Sequence, residues 1–128
     1  MSNAVKGYIS RKNYPNQTVH IITRLDRDTS GIMFLAKHRY AHALMVQHKF
    51  RETLEKRYYA IINDGDLPDS GQIDLPIGRR GDDLYGGNHD LISRQALHCH
   101  HLQFLNPFTD EMVHVELDMP DDMKNLLK

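Results

Sequence analysis

Arg24-Leu25-Asp26-Arg27-Asp28-Thr29-Ser30-Gly31 packs two carboxylates and two guanidiniums into eight residues and closes on a turn-forming Thr-Ser-Gly. It lies between Val19-His20-Ile21-Ile22 and Ile32-Met33-Phe34-Leu35-Ala36, apolar runs that predict two strands. A carboxylate on a loop between strands is held by rigid scaffold yet open to substrate, the setting a nucleophile needs. From the residues alone either Asp26 or Asp28 could be that carboxylate, and Asp26 beside two arginines also reads as a surface ion pair, typically worth ~0–1 kcal/mol.

Outward from this loop the chain reads as one α+β domain. Residues 3–10 predict a short helix and residues 12–17 an Asn- and Pro-bearing loop. Ala41, Leu44, Met45 and His48 recur at helical spacing and predict a single helix over residues 40–52. Strands are expected over residues 54–63, 72–77, 91–105 and 112–117, with a turn at Asn106-Pro107-Phe108-Thr109-Asp110. A C-terminal helix is expected to begin near Asp118 or Pro120, with Met123, Leu126 and Leu127 as its apolar face. On an alternating strand one of Tyr58 and Tyr59 faces inward and the other outward, and either could be plain core.

With 128 residues the chain suffices for one core, and its 40% hydrophobic and 26% charged content is that of a globular protein. The longest apolar runs are about five residues, against the ~20 that cross a bilayer, so no membrane association is expected. The absence of an apolar N-terminal stretch and a single cysteine, Cys99, point to a cytoplasmic protein in a reducing compartment. Net charge is −1, yet residues 1–60 carry eleven basic and four acidic side chains (+7), and residues 61–128 carry five and thirteen (−8). The basic half holds the loop, so a polyanion would meet it there. His98-Cys99-His100-His101 splits its side chains between two strand faces and would need a third ligand such as His89 or His114. No metal is expected, and the strand should be half exposed.

Several ordered stretches share a pattern with the loop: Ala36-Lys37, then Glu55-Lys56-Arg57-Tyr58-Tyr59-Ala60, Gly71-Gln72-Ile73-Asp74-Leu75-Pro76-Ile77-Gly78-Arg79, Gly81-Asp82-Asp83-Leu84-Tyr85-Gly86-Gly87, Arg94-Gln95-Ala96-Leu97-His98 and Asn106-Pro107-Phe108-Thr109. Together they resemble the RluA-type family of RNA pseudouridine synthases along most of the chain. The resemblance implies an α+β fold with a mixed, mostly antiparallel sheet and packed helices. It also implies isomerisation of uridine to pseudouridine in structured RNA, ribosomal or transfer, without a cofactor. It selects Asp26 as the catalytic aspartate, acting either as nucleophile or by taking a proton from the sugar, and leaves Asp28 to order the turn. Tyr58 is implied as the active-site tyrosine, with Arg24, Arg27, Thr29, Ser30, Lys56 and Arg57 as substrate or RNA contacts.

The sequence departs from the family pattern in three places. The run Gly-Arg-Thr-His-Gln-Ile-Arg, within a stretch of several dozen residues, ordinarily precedes the Gly-Asp-x-Leu-Tyr-Gly element, whereas here Gly81 follows Arg80 directly. The strands that ordinarily precede the loop do not fit in the 25 residues before Asp26, and Thr23 stands where histidine is commoner. The expectation is a single partial catalytic domain over residues 1–128 with an internal deletion at 80/81. Its exposed sheet edges would favour self-association. The alternative is an inactive RNA-binding remnant of the family.

Overall fold

The computed structural model describes residues 2–14, 17–62, 68–72, 74 and 92–128. Its elements in chain order are α1 (Ser2–Arg11), β1 (His20–Ile21), β2 (Ser30–Gly31), β3 (Leu35–Ala36), α2 (Arg39–Met45), α3 (His48–Thr53), β4 (Glu55–Ala60), β5 (Leu97–Leu105), β6 (Met112–Glu116) and α4 (Asp121–Lys124), followed by a 3₁₀ turn over Asn125–Leu127. Most of the strand expected over residues 72–77, and the 80/81 junction, lie outside the described residues.

β5 is the strand on which the others assemble. β4 runs antiparallel along one edge, from Glu55 opposite Gln103 to Ala60 opposite Leu97, with a bulge between Arg57 and Tyr58. The other edge is shared: β6 pairs antiparallel over residues 101–105, and β2 pairs parallel at Ser30–His98 and Gly31–Cys99. β1 and β3 form a separate antiparallel pair. The sheet is therefore mixed and mostly antiparallel, as expected. Because β5 is paired on both edges and covered on both faces, Cys99 and Leu102 are almost wholly enclosed and His98 and His101 are buried. This corrects the half-exposed strand expected at the histidine cluster: the alternation rule assumes one wet face, and β5 has none.

The core on one face of this sheet joins Ala36, Ala41, Met45, Phe50, Leu102 and Phe104. Its centre is aromatic, with Phe34 stacked on Phe104 at 4.6 Å and Phe50 tilted against Phe104 at 5.4 Å between ring centroids. The single helix expected over residues 40–52 is two helices, interrupted at Val46 and Gln47, where Gln47 is extended. Continued helically, Phe50 would lie ~140° around the axis from Met45, off the buried stripe formed with Ala41. The break turns Phe50 into the core. The strand expected over residues 91–105 starts only at Leu97, because Arg94 and Gln95 bend away to reach another part of the chain.

Gly31 fits against β5 only because it lacks a side chain. A Cβ built there would stand 2.2 Å from the Cys99 carbonyl oxygen and 2.5 Å from its nitrogen, and φ is +119°, a conformation other L residues avoid. Gly31→Ala should lower the free energy of unfolding by about 2–4 kcal/mol. Gly71→Ala, whose Cβ would meet only Pro68 Cγ at 3.8 Å, serves as the control. Urea denaturation of the two variants checks this, and equal midpoints would mean that β2 does not pair with β5 as described.

Candidate active site

The loop begins where the β1/β3 pair ends. The amides of Ile22 and Thr23 both donate to the Phe34 carbonyl, and the buried Thr23 hydroxyl accepts from the Phe34 amide at 2.9 Å. Thr23 therefore closes the hairpin, a structural task, at the position where the family pattern prefers histidine. Beyond it the backbone turns so that the Thr29 amide donates to the Asp26 carbonyl at 3.1 Å. Asp28 takes φ +66° in that turn, a left-handed conformation that aspartate tolerates better than most residues. This is the turn-ordering role expected of it.

Asp26 is exposed at the start of the turn, and among the described residues no ion pair holds its carboxylate. The surface ion pair of this loop is a different one, Arg27 Nε to Asp28 Oδ2 at 3.6 Å, with side chains 89% and 54% exposed and hence of little energetic weight. Arg24 is exposed. Ser30 reaches β5, sharing a 2.8 Å hydrogen bond with His98 Nδ1, and Thr29 Oγ1 accepts from Gln95 Nε2.

Tyr58 sits across β5 from Gly31, both opposite Cys99, so the loop's end and the tyrosine flank the same point of the central strand. Burial pushes the Tyr58 phenol up to about 12, and the Cys99 thiol and the Asp26 carboxylate add to the shift. Burial leads that shift and the Asp26 charge is the least of its causes, so the phenol stays neutral mainly because it is partly buried. Lys56 Nζ lies 5.9 Å from the Tyr58 ring centroid, within cation–π range. Arg57 is exposed and pairs with Glu55 at 2.5 Å. Tyr59 stacks on His100 at 3.8 Å between centroids. Tyr58 and Tyr59 pair with consecutive residues of β5, Cys99 and His98, and so alternate between its two faces, but at 38% and 40% exposure neither is plain core; the bulge lies one step earlier, between Arg57 and Tyr58.

A family model described as RNA pseudouridylate synthase matches residues 3–114. The chain belongs to this family. Among curated relatives, two from Bacillus subtilis are called uncharacterized RNA pseudouridine synthases: YjbO, 31% identical over 87% of this chain and 59% of its own length, and YhcT, 30% identical over 86% and 56%. A third, from Zymomonas mobilis, is called ribosomal large subunit pseudouridine synthase D and is 25% identical over 84% of this chain and 55% of its own length. The chain spans somewhat over half the length of these relatives. Their alignments run over 167, 168 and 175 positions, more than the 128 residues available, so each opens gaps in this chain.

In this family member four residues near the loop did not stand out as site residues in the sequence: Arg94, Gln95, His98 and Asp122. Arg94 and Asp122 form a bidentate pair at 2.7 and 2.9 Å, and the guanidinium holds the Asp122 carboxyl below its ordinary range. A cation and an amide just ahead of a predicted strand were the available signal. Among the described residues no three side chains converge as a metal site, and no helix is long and apolar enough to cross a membrane.

Burial, and then the Arg94 charge, lower the pKa of His98. A histidine held neutral in the fold contributes stability that is full above its unfolded value of about 6.5 and is lost as pH falls toward the depressed folded value. Urea midpoints should therefore decline between pH 7 and 5. His98→Asn should be less stable at pH 7, having lost the ring, and its midpoint should change less over the same interval. Identical pH slopes in the two proteins would exclude His98 as the titrating group.

Proposed function

We propose that this chain carries the uridine-isomerising centre of an RNA pseudouridine synthase, with Asp26 as the reacting carboxylate and Tyr58 as the ring that meets the uracil. The observation that supports it best is that Gly31, at the downstream end of the Asp26 loop, and Tyr58 pair with β5 on opposite edges at the same residue, Cys99. Asp26 is exposed and free of an ion partner among the described residues, and its charge reaches a neutral phenol. Pseudouridine formation breaks the bond between the sugar and a base nitrogen and rejoins the same base through carbon. Either attack by a carboxylate or removal of a sugar proton by it requires an accessible anion, and neither requires a cofactor. The target uridine must leave its stack, at a cost of a few kcal/mol, and the exposed Arg24 is suited to the space it vacates. Thr29 and Ser30 hold the loop, while Arg27, Lys56 and Arg57 add positive charge along the face an RNA would approach. The name of the Zymomonas mobilis relative makes ribosomal RNA the first substrate to try ahead of transfer RNA, in the cytoplasm where both reside.

The second reading, an RNA-binding domain without turnover, is favoured for the 128-residue chain by the missing Gly-Arg-Thr-His-Gln-Ile-Arg run. Alignments longer than the chain support a deletion of that kind in a single partial domain. Without that run Asp26 lacks the arginine that would aim it. The chain as it stands should bind RNA, with log affinity falling by roughly 0.7 per log unit of salt for each single-strand phosphate contact. It should release no tritium from RNA labelled at uridine C5. Inserting the family segment between Arg80 and Gly81 should switch release on, and Asp26→Asn in that longer protein should abolish it with RNA affinity nearly intact. Robust release by the 128-residue chain, or by the Asp26→Asn version of the longer one, would refute this assignment.

β4 pairs with β5 along one edge, and among the described residues no strand pairs with the other. Such an edge favours self-association. Sedimentation should show dimers or larger species whose proportion rises with concentration; a monomer at every concentration would mean that the edge is covered.

A further inference from the structure

Asp26 poses a positioning problem. Among the described residues no ion pair holds its carboxylate, so in this chain its aim comes from the backbone beside it. The turn that starts at Asp26 continues through Arg27, Asp28 and Thr29, and two side chains from just before β5 grip all three. Gln95 Nε2 donates to the Arg27 carbonyl at 3.1 Å and to the Thr29 hydroxyl. Arg94 NH1 donates to the Asp28 carbonyl at 3.5 Å and, within its own segment, to the carbonyls of Gln95 at 3.0 Å and Leu97 at 3.3 Å. The rest of the guanidinium is taken by Asp122, through Nε at 2.7 Å and NH2 at 2.9 Å. The Arg94 side chain is 18% exposed, far less than the other cations of the loop region, which makes its geometry fixed where theirs is free. Asp122 belongs to α4, whose next residue, Met123, is completely buried, so the anchor of Arg94 is itself seated in the protein.

We propose that Arg94 and Gln95 are positioning residues for Asp26, acting through the backbone of residues 27–29, with Asp122 as the anchor that orients Arg94. The assignment rests on the reading of Asp26 as the reacting carboxylate, but the grip itself is open to measurement without any turnover. Gln95→Glu keeps the size of the side chain and removes its donor, turning a carboxylate toward the Arg27 carbonyl. Arg94→Lys keeps the charge and loses the planar fork that serves Asp122 and three carbonyls together.

The test is site-resolved amide exchange on the 128-residue chain, comparing Thr29, whose amide closes the turn on Asp26, with Leu102 at the buried centre of β5. Each substitution should speed exchange at Thr29 by about fivefold to tenfold, the effect of one lost hydrogen bond, and leave Leu102 unchanged. In the longer protein carrying the family segment, the same substitutions should lower kcat on uridine-containing RNA with KM little altered, because Asp26 would be misaimed and the RNA-contacting cations untouched. Equal acceleration at Thr29 and Leu102 would show that the two residues serve general stability, and no acceleration at Thr29 would show that they do not hold the turn; either overturns the proposal. If the longer wild-type protein makes no pseudouridine, the reading of Asp26 fails separately, and the exchange comparison still decides whether Arg94 and Gln95 grip the loop.

Discussion

The close approach of Gly31 to the Cys99 backbone is the constraint on which the site depends. The loop's downstream end meets the central strand through a parallel ladder of two residues, Ser30–His98 and Gly31–Cys99. So short a ladder would be weak on open backbone. It holds because it is enclosed, with the Ile32 amide donating to the Cys99 carbonyl at 2.9 Å and Ser30 bonded to a buried histidine. Pairing on the far edge places Tyr58 at the same level, so one position on β5 sets the distance between loop and tyrosine.

Around this point charge is arranged by burial. The cations that face solvent, Arg24, Arg27 and Lys56, are available to a polyanion, and the ion pair Arg27–Asp28 is too exposed to restrain them. Arg94 is the inverse case: sheltered, bonded to one carboxylate and three carbonyls, and occupied with structure. The same residue type thus does two jobs a few residues from the same loop, and solvent access separates them. Tyr58 is half-way between, open enough to meet a base and buried enough for its phenol to remain protonated.

The local signals in the sequence were sufficient for most of the scaffold. Alternation and turn chemistry located β4, β6 and the Asn106–Asp110 turn, where the Phe108 amide donates to Asn106 Oδ1 and Asp110 takes φ +54°. The family resemblance singled out Asp26 and Tyr58 as expected site residues. What escaped were features decided by partners far along the chain. Nothing near Val46 marks a helix break, which exists to rotate Phe50 toward Phe34 and Phe104. Nothing near His98 and His101 says that both faces of β5 are covered. Arg94 and Gln95 were visible as part of a motif, but their task lies with residues 27–29 and 122, and a linear pattern does not state what a side chain reaches.

The hydrogen bond between Ser30 and His98 spans 68 residues of chain. Closing a loop of that size carries an entropy that grows only with the logarithm of its length, about 0.6 kcal/mol for each doubling. Several dozen residues added to the connection between β4 and β5 therefore change the closure term by less than about 0.6 kcal/mol. The pairing that frames Asp26 is thus thermodynamically almost indifferent to the length of the segment in which the family places its partner arginine. Scaffold and chemistry can be inherited separately: a chain can shed the segment and keep the scaffold at negligible entropic cost.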